Sequence, residues 1–405
     1  STVIFEWFSR STADHIPMVG SFIFGQDDRN IPFLVYLLTP YFTPFLPDKR
    51  IQILYFYFVI IGAIFLWRVA YVTLIASPRF YKKVLVIGEV ANMGNIIETI
   101  SKADPNYKIV GFINSEEVEE ETVKFKGIKE YKANNLLKVI YEEKISELLV
   151  AIYNPNTITP ELYNSLINLL ERGFVIREYS QVYESIMHRV PIQYVGRDFY
   201  KYFPFSRSNQ NRLYLWFSRA LDVVTSLIGL LFFIVILPFI LLGNLIKNKG
   251  PLFYKQDRVG RNGEIFQIVK LRTMISDAEK EGATWATKND TRVTPFGRLL
   301  RNTRLDEIPQ FWNILKGDMA LIGPRPERPY FVSELSDAIP FYETRHIIKP
   351  GLTGWAQVKM RYGSTFDDSV KKLQYDLFYI KQRSFFLDVN ILVKTVSTIL
   401  YYRGQ

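Results

Sequence analysis

From position 223 to 246 the sequence carries no charged residue. A bilayer core of roughly 30 Å takes about 20 apolar helical residues, so by length this stretch can cross one. Two features oppose a plain crossing. Pro238 lies inside the run, where it removes a backbone hydrogen bond and bends a helix. Basic residues also flank both ends: Arg212 and Arg219 before, and Lys247, Lys249, Lys255 and Arg258 after. A crossing helix cannot keep both sets on the cytoplasmic face, whereas a segment that enters, bends at Pro238 and returns can. The expected arrangement is therefore a re-entrant helix over 221–246. An ordinary kinked span is the competing reading.

A second apolar run, 51–76, is interrupted only by Gln52 and Arg68. It is long enough to span, with Arg68 snorkelling to the interface. Arg79, Lys82 and Lys83 then place that end in the cytoplasm. The stretch 31–46 is apolar but holds Pro32, Pro40 and Pro44, and reads as a membrane-edge loop or broken helix. Residues 1–80 thus form an expected membrane region. Ser1 opens the sequence and no signal-peptide pattern is visible.

The rest of the chain has ordinary soluble texture: 22% of its 405 residues are charged against 48% apolar. The net charge of +10 favours an anionic partner, whether nucleic acid, a phosphorylated substrate or an acidic membrane face. With no cysteine, disulfides and thiolate metal sites are excluded, which fits a protein facing the cytoplasm. His15, His188 and His346 lack metal-ligand spacing and read as structural. Arg345 and Arg361 read as solvated.

After Lys83 the pattern alternates. Strands are expected at 84–88, 109–113, 147–152 and 174–178, with helices at 91–103, 134–144 and 159–171. That alternation indicates a doubly wound parallel sheet within 81–195. Its first turn, Gly88-Glu89-Val90-Ala91-Asn92-Met93-Gly94, lacks the second glycine of a G-x-G-x-x-G fingerprint. It also puts Glu89 where a pyrophosphate would approach. Dinucleotide binding is not expected. A regulatory or oligomerising role is, and with it a homodimer.

The chemistry concentrates around Arg301-Asn302-Thr303-Arg304-Leu305-Asp306-Glu307-Ile308-Pro309-Gln310. Two adjacent carboxylates stand there among Arg292, Arg298, Arg301, Arg304, Lys316, Arg325 and Arg328. Arginine forks bind phosphate oxygens, and a carboxylate can hold a metal or attack phosphorus. Ile308 precedes proline and is expected outside the helical region. Pro309 suits the first turn of a short helix over 310–316, with Gly317 as its stop. The carboxylates would then lie at a helix entrance that favours anions. A surface turn of solvated charges is the competing reading. Upstream, 251–263 predicts a hairpin feeding a strand at 265–269 and then Lys270-Leu271-Arg272-Thr273-Met274, which adds two cations. Downstream, helices are expected at 367–381 and 387–402. The second suits either a membrane surface or a core.

Taken together, these stretches resemble a known family. They are Tyr254-Lys255-Gln256-Asp257-Arg258-Val259-Gly260, Lys270 to Met274, Leu305 to Gln310, Asn313-Ile314-Leu315-Lys316-Gly317-Asp318-Met319, Gly323-Pro324-Arg325-Pro326-Glu327 and Pro350-Gly351-Leu352-Thr353-Gly354-Trp355. With the proline-bearing apolar segment, they look like the bacterial sugar transferases, the monotopic polyprenyl-phosphate phosphoglycosyl transferases. The resemblance covers roughly 212–405 and implies a catalytic domain over 196–405. The amino-terminal half is similar to the large members, which pair membrane helices with a Rossmann-like, CoA-binding-like α/β domain. Those resemble undecaprenyl-phosphate galactose or glucose phosphotransferases, which start exopolysaccharide, O-antigen or capsule repeat units.

The resemblance implies roles. Asp306 matches the nucleophile that takes a sugar phosphate from a UDP-sugar and releases UMP. Undecaprenyl phosphate then attacks the phospho-aspartyl intermediate. Glu307 matches the carboxylate that binds Mg²⁺. Lys270, Arg272, Arg301, Arg304 and Arg325 are the expected phosphate-binding cations, with Asp376 and Asp388 as further acidic positions. Leu237-Pro238 stands where the family often has Ser-Pro, so the hydroxyl is lost and the bend kept. The implied setting is the bacterial inner membrane, cytoplasmic face, with membrane lipids as partners and no nucleic acid. Galactose or glucose is favoured over an acetamido sugar. Two rivals remain at this level. A membrane-anchored nucleotide-sugar dehydratase or epimerase would need a glycine fingerprint and Tyr-x-x-x-Lys, and neither occurs. A non-enzymatic assembly scaffold gives no reason for Asp306 and Glu307 to be adjacent among arginines.

Overall fold

The computed structural model describes residues 50–71, 81–115, 128–152, 158–192, 209, 211–275, 278, 290–360, 363 and 365–400. The expected membrane-edge loop at 31–46 lies outside them, as do Arg79, Arg361 and most of the stretch before Arg212. The chain divides between Val182 and Tyr183 into two compact units.

The first unit opens with α1, Arg50–Ala70, whose Phe58, Leu66 and Trp67 are exposed. Its apolar stretch runs Phe58–Ala70. Then follow β1 (Lys82–Gly88), α2 (Val90–Ala103), β2 (Tyr107–Asn114), β3 (Lys129–Tyr131), α3 (Leu136–Glu142), β4 (Glu147–Ala151), α4 (Pro160–Glu171), β5 (Ile176–Glu178) and α5 (Tyr179–Met187), the last crossing into the second unit. The five strands are all parallel, in the order β3-β2-β1-β4-β5. Central β1 buries Val84 through Ile87 completely, which is why it reads as an unbroken apolar run. Gly88 is required by packing: a Cβ there would come within 2.5 Å of the Ala151 carbonyl oxygen. Glu89 immediately precedes α2 and its Oε2 accepts from Asn92 Nδ2 at 3.3 Å, so a carboxylate stands at the helix entrance. Sequence reasoning missed β3 and α5, both short and polar. It also merged a one-turn 3-10 helix, Ala133–Asn135, with α3.

The second unit is organised on α6, Arg212–Lys247. Its 36 residues make about 54 Å of helix, far more than a plain crossing needs. The helix continues through Pro238. It is the one helix among the described residues long and apolar enough to cross a membrane, and little of it is buried. What is buried forms a stripe: Asp222, Ser226, Phe233, Ile240 and Asn244. The opposite side exposes Leu227, Ile228, Leu231, Ile234, Val235 and Leu242.

That stripe is fastened at both ends to the same unit. Near the start, Arg219 donates to the carbonyls of Ile314 and Leu315, both at 2.7 Å, and Asp222 accepts from the Leu321 amide at 2.8 Å. Near the end, Asn244 donates to Gly250 O, and Asn248 donates to Arg272 O at 2.8 Å. Between them, aromatic rings fill notches at glycines. A Cβ on Gly229 would lie 2.4 Å from Phe311 Cδ2, and one on Gly243 would lie 2.3 Å from Phe296 Cζ.

Against α6 lie the hairpin β6 (Phe253–Val259) and β7 (Ile265–Leu271), then α7 (Pro295–Asn302), a 3-10 turn (Leu305–Glu307) and α8 (Gln310–Lys316). A short parallel pair follows, β8 (Ala320–Ile322) with β9 (Gly351–Thr353), separated by α9 (Pro329–Ala338) and a 3-10 segment (Tyr342–Ile347). The chain closes with α10 (Trp355–Lys359), α11 (Phe366–Gln382) and α12 (Phe385–Leu400). Trp355, Phe378, Leu377, Phe331 and Ile391 centre the core. A capping box, Thr365 with Asp368, starts α11. Helix α12 packs one face into the core, with Ile391 fully buried, while Phe386, Val389, Val393 and Val396 form an exposed apolar stripe.

Gly229→Leu should therefore displace Phe311 and destabilise the protein by about 1–3 kcal/mol, the usual cost of overpacking. Gly62→Leu, with nothing within 4 Å of its added Cβ, should leave the melting temperature in detergent unchanged.

Candidate active site

The two central carboxylates sit on the 3-10 turn between α7 and α8. Arg304 enters it in the left-handed region (φ 58°, ψ 14°), an uncommon conformation for a residue with a side chain. The turn then presents Asp306 and Glu307 in succession. Ile308 departs from the expectation for a pre-proline residue: it is helical, at φ −57° and ψ −40°. Its amide bonds Leu305 O and its side chain is buried with Phe233 and Leu300, so tertiary packing overrides the local preference. Pro309 does lead into α8, and Gly317 ends it at φ 100°, where only glycine is unstrained.

The neighbours meet different surroundings. Glu307 Oε1 accepts from Lys270 Nζ at 2.9 Å and from Arg325 Nη2 at 3.1 Å. Burial alone would raise its pKa, but Lys270, then Arg325 and Arg304, override that and hold it well below the usual carboxylate range. Asp306 is 9% exposed, and its Oδ1 has no hydrogen-bond partner among the described residues. Burial, and then the charge on Glu307, push its carboxyl up to about 6, against the pull of Lys270, Arg301 and Arg304. One carboxylate is thus engaged by cations while the other keeps a buried oxygen without a hydrogen-bond partner among the described residues.

Lys270 reaches the turn from β7, and Arg325 from the Gly-Pro-Arg-Pro loop after β8. Arg301, in the last turn of α7, donates Nε to Thr273 Oγ1 at 2.9 Å. Arg304 lies in the turn itself and acts on both carboxylates. Arg272 is elsewhere. Its buried guanidinium donates to the carbonyls of Pro251, Met274 and Asn248, stapling the end of α6 to β7. Arg292 is held by Asp290, and Lys316 pairs with Asp318.

The two acidic positions on the last helices are not brought to the turn. Asp388 accepts from the Tyr214 and Tyr379 hydroxyls, tying α12 to the first turn of α6. Asp376 is 1% exposed and pairs with Arg345 at 2.8 Å. Arg345 is therefore not solvated: it is 4% exposed and wholly inside. Two more groups have contacts that the sequence did not indicate. Arg258 donates to Pro326 O at 2.9 Å and faces Glu327 at 3.7 Å, bracing the loop of Arg325. Gln310 is buried with its Nε2 unpartnered, one helical turn from Asp306. Alternating charge on β6 was the available signal for Arg258. Nothing local marked Arg345.

Among the described residues no group of three or more His, Asp or Glu forms a metal cage. Magnesium needs less, since it binds through one or two carboxylates and completes its octahedron with water and phosphate. The orphaned buried Oδ1 of Asp306 beside the Glu307 carboxylate fits that requirement.

A sequence model described as "Bacterial sugar transferase" matches residues 213–402. Over 144 residues the chain is 45% identical to a Bacillus subtilis (strain 168) protein named putative undecaprenyl-phosphate N-acetylgalactosaminyl 1-phosphate transferase, covering 35% of this chain and 79% of that protein. The chain belongs to the bacterial sugar transferase family. It is also 42% identical over 188 residues to the Aeromonas hydrophila UDP-N-acetylgalactosamine-undecaprenyl-phosphate N-acetylgalactosaminephosphotransferase, covering 46% of this chain and 44% of that one. A UDP-glucose:undecaprenyl-phosphate glucose-1-phosphate transferase of Xanthomonas campestris pv. campestris is 39% identical over 191 residues, covering 46% and 40%. The match spans less than half the length of these last two relatives. The family model falls on α6 and the elements that carry the carboxylates.

The Asp306 carboxyl should titrate near pH 6, neutral below and ionised above. Infrared difference spectra of wild type against Asp306→Asn should show a carboxyl band that vanishes with that midpoint. Glu307→Gln removes the neighbouring negative charge and should move the midpoint down.

Proposed function

We propose that this sugar transferase moves a hexose-1-phosphate from a UDP-sugar to undecaprenyl phosphate through Asp306. The supporting observation is the division of labour in the turn: Glu307 Oε1 is engaged by Lys270 and Arg325, while the buried Asp306 Oδ1 has no hydrogen-bond partner among the described residues. Ionised Asp306 attacks the sugar-bearing phosphorus. The bond to the bridging oxygen breaks and UMP leaves with the electron pair. The undecaprenyl phosphate oxygen then attacks the same phosphorus, and the Asp306 carboxylate is released. Splitting a displacement between two anions into two steps lets the same cations shield each one. Arg301, Arg304 and Arg325 hold phosphate oxygens, and Lys270 keeps Glu307 ionised. Asp306 and Glu307 would hold Mg²⁺, which supplies charge neutralisation at phosphorus.

The names of the relatives include both glucose and N-acetylgalactosamine, so acetamido sugars belong among the candidate donors. Asp306→Asn should abolish both lipid-linked product and the phosphorylated enzyme seen by mass spectrometry of a quenched reaction. Product accumulating with that carboxyl unmodified refutes the reading.

The acceptor is a lipid, and α6 supports access to it without crossing. Its buried stripe from Asp222 to Asn244 follows the catalytic unit for about 33 Å, the thickness of a whole bilayer core. In a crossing helix, Phe296 and Phe311 would be carried through the hydrocarbon with it. The re-entrant reading instead keeps both anchored ends at the cytoplasmic surface of a bacterial membrane. Labels at positions 212 and 249 should be reached by one impermeant reagent from one side of sealed vesicles, and opposite-side labelling rules the arrangement out. For the first unit we infer a Rossmann-like domain that binds no dinucleotide and serves regulation or homodimerisation. Glu89 at the start of α2 supports this, because it occupies the place a pyrophosphate would need.

A further inference from the structure

A continuous chain of hydrogen bonds runs from the middle of α11 to the carboxylate turn. Asp376 Oδ2 accepts from Arg345 Nη2 at 2.8 Å. The same Nη2 donates to the backbone carbonyl of Arg325 at 2.9 Å. Arg345 Nη1 donates to the Tyr342 hydroxyl at 2.7 Å. Arg325 then donates its own Nη2 to Glu307 Oε1 at 3.1 Å. Arg345 thus grips the main chain of the residue whose side chain completes the Glu307 pair.

Stability alone is a poor reason for this arrangement. Removing a guanidinium and a carboxylate from water costs several kcal/mol per ion, and their mutual attraction roughly restores it. A well-packed apolar pair would serve the core equally well. What an apolar pair cannot do is fix the Arg325 carbonyl in direction as well as distance. A planar guanidinium with its rotation locked at Tyr342 and Asp376 does so, and lysine, a rotating point charge, does not. The segment that delivers Arg345 is itself constrained, since Phe341 enters it in the left-handed region at φ 64°. Glu327, two residues beyond Arg325, also acts on both Arg345 and Asp376.

We propose that Arg345, oriented by Asp376 and Tyr342, is the positioning residue for the Gly323–Pro326 loop, setting where the Arg325 guanidinium meets Glu307. It touches no substrate and acts through Arg325. This rests on the phosphoryl-transfer reading above, in which Arg325 is a working cation of the site.

A double-mutant cycle on the full chain in detergent tests it, read as the single-turnover rate of phosphorylated-enzyme formation from a UDP-sugar. Arg345→Lys should slow that step by about tenfold or more, the scale on which misplaced catalytic groups fail. In an Arg325→Lys background the same change should cost less than about twofold, because residues acting through one another are not additive. Asp376→Asn, which keeps shape and one acceptor, should show a smaller loss that also disappears in the Arg325→Lys background. A purely structural role predicts a lowered melting temperature and the same fold-loss in both backgrounds, and that additivity overturns the proposal. So does an Arg345→Lys rate within twofold of wild type. If wild type itself forms no phosphorylated enzyme, the reading of the reaction fails instead, and the two failures are told apart.

Discussion

The site depends on one ammonium group. Lys270 comes off β7, half-buried, and directs its charge at Glu307. That pairing lets two negative groups stand on consecutive residues of a buried turn. Without it burial and mutual repulsion would push both toward neutrality against the remaining arginines alone. With it, the burden falls unequally: Glu307 stays ionised, and Asp306 carries the strain of its neighbour's charge. The distinction between the two carboxylates is thus electrostatic before it is chemical.

Lys270 is in turn only as well placed as β7, and the hairpin is held by the long apolar helix α6. Asn248, just past α6, bonds Arg272 O, and Arg272 returns the contact to the Asn248 carbonyl. At the other end Arg219 binds the last carbonyls of α8, where the helix dipole concentrates negative charge. Two of the cations that flank the apolar run or follow it in sequence are therefore structural fasteners. Positive charge near a membrane segment has more than one use, and counting lysines and arginines does not separate them.

Much of this was legible beforehand. Apolar runs and their punctuation marked the strands of the first unit, because burial on both faces leaves an unmistakable composition. Pro309 and Gly317 bounded α8 by backbone chemistry that acts within a few residues. The adjacency of Asp306 and Glu307 was visible directly. The partners that decide their behaviour were less so. Arg272 stands two positions from Lys270 yet serves backbone carbonyls, since strand alternation points nearby residues to different tasks. Arg345 looked like any surface arginine, because its burial depends on Tyr342 and Asp376, and no short window contains that information. Ile308 was misjudged for the same reason: its contacts with Phe233 and Leu300 outweigh the proline beside it.

The Asn248 side chain reaches further than the hairpin, since its Oδ1 also accepts from Thr294, the cap of α7. Helix α7 carries Arg301 in its last turn. The end of α6, the strand bearing Lys270 and the helix bearing Arg301 are thus knotted at a single amide. A bilayer too thick or too thin for α6 strains its ends at a modest cost per ångström. If α6 lies in lipid as proposed, strain at its ends would reach the cations around Asp306, and acyl-chain length would act on this transferase as a mechanical input.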